Sequence, residues 1–209
     1  LIIFQGIVGW YMVKSGLVND VTVSHYRLSL HLTTALIIIS IIFWLIINFK
    51  RNTSKSFFSL NKKNFSFLIL FFLLFSQIIF GAFVSGLDAG KIYQTWPLMG
   101  QTYYPNDLIE KKIINFFNFD NHSLVQFYHR NLAYLILIYI LFLSGYIYYK
   151  KNKHLYYPLL FVIVTLFAQI ILGILTLLTD INIYLAVTHQ LCGVILIIST
   201  INLYYFYIK

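Results

Sequence analysis

Long apolar runs, broken by short polar or basic connectors, make up most of this chain. Five runs, at roughly 29–49, 65–86, 123–149, 156–178 and 182–207, each reach the length a membrane-crossing helix needs. That length is about 20 mostly apolar residues for a ~30 Å hydrocarbon core. A sixth run, Leu1 to Val13, would rise only about 20 Å as a helix. No basic segment precedes it, so it does not read as a signal peptide. The first residue is Leu, and the expectation is a helix cut in mid-span with sequence missing upstream. The pattern predicts an all-α polytopic membrane protein, a bundle of five full transmembrane helices plus one truncated N-terminal helix.

Composition agrees. Apolar residues make up 60% and charged residues 10% of the 209, whereas soluble domains carry about 25% charged residues. The mean hydropathy is +0.80. Cys192 is the single cysteine, so an intrachain disulfide and a CxxC metal site are excluded. It reads as a small packing residue.

The formal charge of +9 is unevenly placed. Lys50, Arg51, Lys55, Lys62 and Lys63 lie in one connector, Lys150, Lys151 and Lys153 in another, and Lys209 at the end, nine bases without an acid. The remaining connectors hold Lys14, Arg27, Lys91, Lys111, Lys112 and Arg130 with all six acids, Asp20, Asp88, Asp107, Glu110, Asp120 and Asp180. Their net charge is zero, so the whole excess lies on one face. The positive-inside rule places the 50–64 and 150–154 connectors and the C-terminus in the cytoplasm or matrix. Nucleic-acid binding is not expected, because these bases are short helix connectors rather than a soluble basic face.

The segment 86–122 is the one long connection and falls on the outer face. Connections of this length are usually functional or disordered, and its Trp96, Pro97, Tyr103, Tyr104 and Pro105 argue against disorder. Within it, Asp107 to Phe119 carries Leu108, Ile109, Ile113, Ile114, Phe116 and Phe117. That stretch fits either an interfacial amphipathic helix or an ordinary ordered loop touching the membrane.

Ionisable groups inside a membrane default to functional hypotheses. His31, His129 and His189 each lie a few residues inside a span, about 5–12 Å from its outer end at ~1.5 Å per residue. Equal depth on different helices points to a shared internal site. Neutral imidazole ligates haem iron, and a bis-histidine pair needs one residue from each of two facing helices. Hydrogen bonding across helices is the plainer alternative. Arg27, one turn before His31, and Arg130, next to His129, suit carboxylates such as haem propionates, although each could simply snorkel. His25, His122 and His154 read as surface residues. A Gln-x-x-x-Gly echo recurs at Gln5–Gly9, Gln77–Gly81 and Gln169–Gly173, in the first, third and fifth of the six apolar runs. The first and third are followed by a helix with a buried histidine. Repeats are common in membrane bundles, and the glycines would permit close packing.

At GWYMVKSGL (9–17), YRLSLHL (26–32), GAFVSGLDAGKIYQTWPLMG (81–100), YYPND (103–107), QFYHRN (126–131) and AVTHQ (186–190), the chain resembles the haem A synthase family. The likeness is to its mitochondrial and alphaproteobacterial branch, which lacks loop cysteines. The segments occur in family order over nearly the whole chain, 81–100 being the most specific. The resemblance implies an eight-helix architecture in two four-helix halves. Residues 1–49 would end the N-terminal half and 50–64 would link the halves. Residues 65–209 would form the C-terminal haem-binding half, with the outer loop 86–122. It implies that His129 and His189 hold haem b as a bis-histidine pair. His31 would be the catalytic-half ligand where the substrate, haem O, binds; its partner histidine and a glutamate one turn before that partner would lie upstream of Leu1. The reaction implied is oxidation of the haem O C8 methyl to a formyl group by successive hydroxylations, giving haem A for cytochrome oxidase. Implied partners are haem O synthase, an electron-transfer protein, the lipid bilayer of a bacterial cytoplasmic or mitochondrial inner membrane, and possibly a second copy of the chain. A b-type cytochrome exchanging electrons with quinone would share the ligands. A proton-coupled transporter would keep acids at mid-membrane, but every acid here lies in an outer loop or at a helix end.

Overall fold

The structure, a computed structural model, describes residues 1–16, 22–58, 64–109 and 115–208. Its long helices are α1 (Ile2–Val13), α2 (His25–Arg51), α3 (Phe65–Gly86), α5 (His122–Tyr149), α6 (Tyr156–Leu178) and α7 (Ile183–Tyr207), with a short α4 (Asn106–Ile109). Among the described residues five helices, all the long ones but α1, are long and apolar enough to cross a membrane. The chain is an integral membrane protein. Hydrocarbon offers no partner for free N–H and C=O groups, so these apolar runs can cross only with their backbone bonds closed internally, as helices.

Three of the helix ends carry a clear signal in the sequence. Asn121 Oδ1 accepts from Leu124 N at 3.0 Å and caps α5. Asn182 Oδ1 accepts from Tyr184 N at 3.0 Å and Leu185 N at 3.4 Å and caps α7, satisfying first-turn donors that have no carbonyl partner. At the far end of α2, Asn52 turns left-handed (φ 51°), and Thr53 N donates to Asn48 O at 3.0 Å, closing the last turn in the Schellman manner.

The helices pack as antiparallel neighbours, α1 on α2, α3 on α5 and α6 on α7, with α2 joining α3 and α7. One end of the bundle is closed by an aromatic core. Tyr204 and Phe67 are fully buried with ring centroids 5.3 Å apart, and Trp44 stacks on Tyr204 at 5.8 Å. The connector after α2 is sewn into this core: Trp44 Nε1 donates to Lys55 O at 3.1 Å, Tyr204 OH to Phe57 O at 2.8 Å, and Lys55 Nζ to the carbonyls of Tyr205 and Ile208. The basic connector 52–58 and the end of α7 therefore share one end, as the charge pattern requires. Lys62, Lys63 and Lys209 lie outside the described residues.

The opposite end carries the 86–122 connection. Of the amphipathic helix considered over 107–119, residues 107–109 belong to α4, residues 110–114 fall outside the described residues, and 115–121 are turns and irregular chain. Asn115 and Asn118 explain the turns, since their side chains accept from Phe117 N at 3.0 Å and Asp120 N at 3.2 Å. Such local side-chain bonds compete with helix. His25 is not the surface residue expected: it is 8% exposed, packed edge-on against Phe83, with Nε2 3.5 Å from Asp120 Oδ1. The returning outer loop covers it. His122 and His154 are exposed.

Cysteines placed at the exposed positions Ser56 and Gln101 in a Cys192→Ser background should be labelled by an impermeant reagent from opposite sides of the membrane, Gln101 from outside. Labelling of both from outside would overturn this topology.

Candidate functional site

His31, His129 and His189 lie six, seven and six residues after the first residues of their helices, His25, His122 and Ile183. All three are half-buried rather than enclosed. Each meets a glutamine and a glycine on the preceding helix of its antiparallel pair. Gln5 on α1 donates through Nε2 to His31 O at 3.0 Å and to His31 Nδ1 at 3.1 Å. Gln77 on α3 donates to His129 O at 3.1 Å and contacts His129 Nε2 at 3.4 Å. Gln169 on α6 contacts His189 Nε2 at 3.2 Å, and its main-chain carbonyl accepts from His189 Nδ1 at 3.0 Å.

One turn on from each glutamine, the glycine lies against the same ring. A Cβ at Gly9, Gly81 or Gly173 would stand 3.0, 3.1 or 2.8 Å from the Cε1 of His31, His129 or His189, at or inside the closest approach of carbon atoms. The Gln-x-x-x-Gly repeat is thus a histidine seat as well as a packing motif. It occurs three times, the copy at Gln77–Gly81 included, whose following long helix carries His129. Glutamine and glycine one turn apart share a helix face, so one face supplies both a donor and a gap.

His129 on α5 and His189 on α7 stand on helices that each pack mainly on another helix. Among the described residues no group of three or more His, Cys, Asp or Glu converges. Two imidazoles from different helices without a third protein ligand suit an iron whose in-plane ligands come from a porphyrin. His129 Nδ1 and the Oε1 atoms of Gln77 and Gln169 are buried and have no hydrogen-bond partner. Unsatisfied polar atoms in a low-dielectric setting are costly, and these concentrate where the two rings are seated. His31 belongs to the separate α1–α2 unit, where Gln5 Oε1 accepts from Thr34 Oγ1.

The arginines bind main chain. Arg130 donates to Thr95 O at 2.8 Å, Leu98 O at 3.3 Å and Tyr93 O at 2.7 Å, gripping the outer loop beside His129. Arg27 donates to Tyr11 O at 2.9 Å and lies over the Tyr11 ring at 3.9 Å. Around Arg130 the loop is held by Tyr103 OH donating to Asn131 Oδ1, Trp96 Nε1 to Tyr134 OH at 2.9 Å, Gln126 Nε2 to Tyr93 O at 3.0 Å and Gln94 Nε2 to Asp180 Oδ1 at 2.6 Å. Burial, and then the hydrogen bond from its hydroxyl to Asp107, raises the pKa of the Tyr93 phenol. Tyr134, Asn131 and Gln126 carry no signal in the sequence beyond polarity on a helix face, because their partners are 28 or more residues away.

The fold and site define a polytopic membrane protein with three histidines, each seated against a glutamine and a glycine of a neighbouring helix, towards the end bearing its structured outer loop. Residues 1–201 match the family described as cytochrome oxidase assembly protein, and the chain belongs to that family. It is 44% identical over 200 residues to the heme A synthase of Pelagibacter ubique, covering 96% of this chain and 58% of that protein. The heme A synthases of a Wolbachia from Brugia malayi and of Rickettsia africae are 42% and 38% identical over 93% and 100% of this chain. The chain spans 56% and 62% of those two proteins, so it is similar to somewhat over half of each relative.

Arg130→Ala should free the outer loop. Hydrogen bonds to a charged donor contribute about 1.5–3 kcal/mol each, so amide exchange protection over 93–100 should fall at least roughly tenfold while that of α6 stays unchanged. Arg130→Lys, which lacks the planar fork, should recover only part of it.

Proposed function

We propose that this chain carries the haem b site and part of the substrate site of a haem A synthase, working in a bacterial cytoplasmic or mitochondrial inner membrane. The observation that carries this reading is the like seating of His129 and His189 on separate helices, each by a glutamine and a glycine, in a chain that belongs to the oxidase-assembly family. His129 and His189 would hold haem b through two neutral imidazoles. His31, seated in the same way on α2, would face haem O. Bound haem would supply the redox chemistry for oxidising the C8 methyl of haem O to a formyl group.

The protein's own part is placement. The three seats hold the rings at equal depth. The outer loop, clamped by Arg130, Trp96 and Tyr103, covers that end and limits water, which strengthens the electrostatic interactions beneath it. Arg27 and Arg130 have guanidinium N–H groups beyond those used on carbonyls, and these would suit haem propionates. Haem O synthase and an electron-transfer protein are the partners this reading requires, and a homo-oligomer is compatible with it.

A bis-histidine haem is six-coordinate and low-spin. Replacing His129 or His189 by Ala should abolish that spectrum or convert it to high-spin, whereas His154→Ala should leave it intact. An unaltered low-spin spectrum in both ligand variants refutes the pair.

In cells making haem O, the protein extended to the length of its relatives should yield haem A. His31→Ala in that protein should lower haem A at least about tenfold, the size of effect expected when a positioned group is lost, while the haem b spectrum persists. Haem b without any haem A, even from the unmutated protein, would mark it as an electron-carrying cytochrome instead.

A further inference from the structure

We propose that Gln5, Gln77 and Gln169 are positioning residues that set the tautomer of the histidine each one faces: a lone pair on Nε2 in His129 and His189, and on Nδ1 in His31. The proposal deepens the haem reading of this site and rests on it for its functional meaning.

The argument depends on which atoms can only donate or only accept. A carboxamide nitrogen donates, and a main-chain carbonyl accepts. Gln5 Nε2 lies 3.0 Å from His31 O, and Gln5 Oε1 accepts from Thr34 Oγ1. Two independent bonds therefore fix the orientation of this amide. The same nitrogen is 3.1 Å from His31 Nδ1, which must then be the accepting nitrogen. A neutral His31 carries its proton on Nε2.

In the other two seats the reasoning gives the opposite result. Gln77 Nε2 is oriented by His129 O at 3.1 Å, and it meets His129 Nε2 at 3.4 Å. The lone pair is on Nε2, and Nδ1, buried without a partner, carries the proton. In His189, Nδ1 lies 3.0 Å from Gln169 O. A carbonyl cannot donate, so Nδ1 is protonated, and Nε2 accepts from Gln169 Nε2 at 3.2 Å. Here the main chain and side chain of one residue specify the same tautomer.

The difference has a chemical consequence. An imidazole ligates iron through a nitrogen that has a lone pair, and the hydrogen bond made by its other nitrogen fixes ring orientation. In His129 and His189 the lone pair lies on Nε2, where the glutamine amide holds it, so Nε2 can ligate once that amide is displaced, with no proton to move. His31 carries its proton on Nε2, so that nitrogen can donate a hydrogen bond to a substrate oxygen and can ligate only after its proton moves. The glycines fix the ring plane, since a methyl group at Gly9, Gly81 or Gly173 would meet Cε1 at 2.8–3.1 Å.

The test is 15N NMR of the histidine rings in the whole chain, selectively labelled and held in detergent without haem. Protonated and bare imidazole nitrogens resonate far apart. His129 and His189 are expected in the Nδ1–H form and His31 in the Nε2–H form. Gln5→Glu replaces a donor by an acceptor and should move the His31 proton to Nδ1. Gln5→Leu, which carries the test if the charged variant does not fold, should give a mixture of tautomers. Gln169→Leu should leave His189 unchanged, because the main-chain carbonyl remains.

After loading with haem, Gly173→Ala should shift the low-spin electron paramagnetic resonance g values by tilting the His189 ring, with haem content unchanged. His31 in the Nδ1–H form in the unmutated chain, or a His31 tautomer indifferent to both Gln5 variants, would overturn the proposal. If the tautomers respond as stated but no low-spin haem forms, the haem reading fails and the positioning role stands.

Discussion

A ring nitrogen placed two turns into a membrane helix has no water to bond, and its helix cannot help it, because every main-chain group there is already engaged. The partner must come from a neighbouring helix at the same depth. In this chain the partner is a glutamine, and the approach is possible because a glycine stands one turn further along the same helix. The close approach and the hydrogen bond are one constraint. It pairs α1 with α2, α3 with α5 and α6 with α7. Without a hydrophobic force between helices in lipid, small residues and polar contacts of this kind decide association.

The two ends of the bundle meet different demands. At the basic end the connector 52–58 lies against aromatic side chains, and Lys55 gives its ammonium to the carbonyls at the end of α7. A cation there satisfies acceptors that a helix C-terminus leaves free. At the other end the acids and bases balance, and polar side chains are used to hold a long loop in place. Arg130 sits where both roles meet, next in sequence to a candidate ligand while its guanidinium holds the loop above it. A change at Arg130 therefore acts on the cover of the site as well as on its charge.

The spans could be read from the sequence because their signal is local: run length and basic connectors both act within a short stretch of chain. The depth of His31, His129 and His189 was equally legible, since depth along a helix is a count. The Gln-x-x-x-Gly repeat was visible, but the link of its middle copy to His129 was not. The long outer connection, residues 87–121, separates α3 from α5, and only the folded chain shows that these helices are antiparallel partners. His25 was misjudged for a related reason. It begins its helix, a position that usually faces water, and the residue that covers it, Asp120, is 95 positions away. The contacts of Arg27 and Arg130 were likewise out of reach, because a main-chain carbonyl carries no mark in the sequence.

Repetition of the seat also constrains what the differences between copies can mean. Three histidines gripped by the same two residue types at the same spacing share their local energetics, so the details that vary are the informative ones. Gln5 has a second partner in Thr34 that fixes its amide, and it turns to Nδ1 of the imidazole. Gln77 and Gln169 leave their Oε1 atoms unpaired and turn to Nε2. A hydroxyl one turn after the histidine, present as Thr34 on α2 and replaced at the corresponding positions by Leu132 on α5 and Cys192 on α7, is enough to separate the two cases. With Leu132 and Cys192 three residues on from their histidines, as Thr34 is from His31, neither seat has a comparable donor for the amide oxygen. Those two imidazoles keep on Nε2 the lone pair that an iron would require, held meanwhile by the glutamine amide, and the third keeps its lone pair on Nδ1.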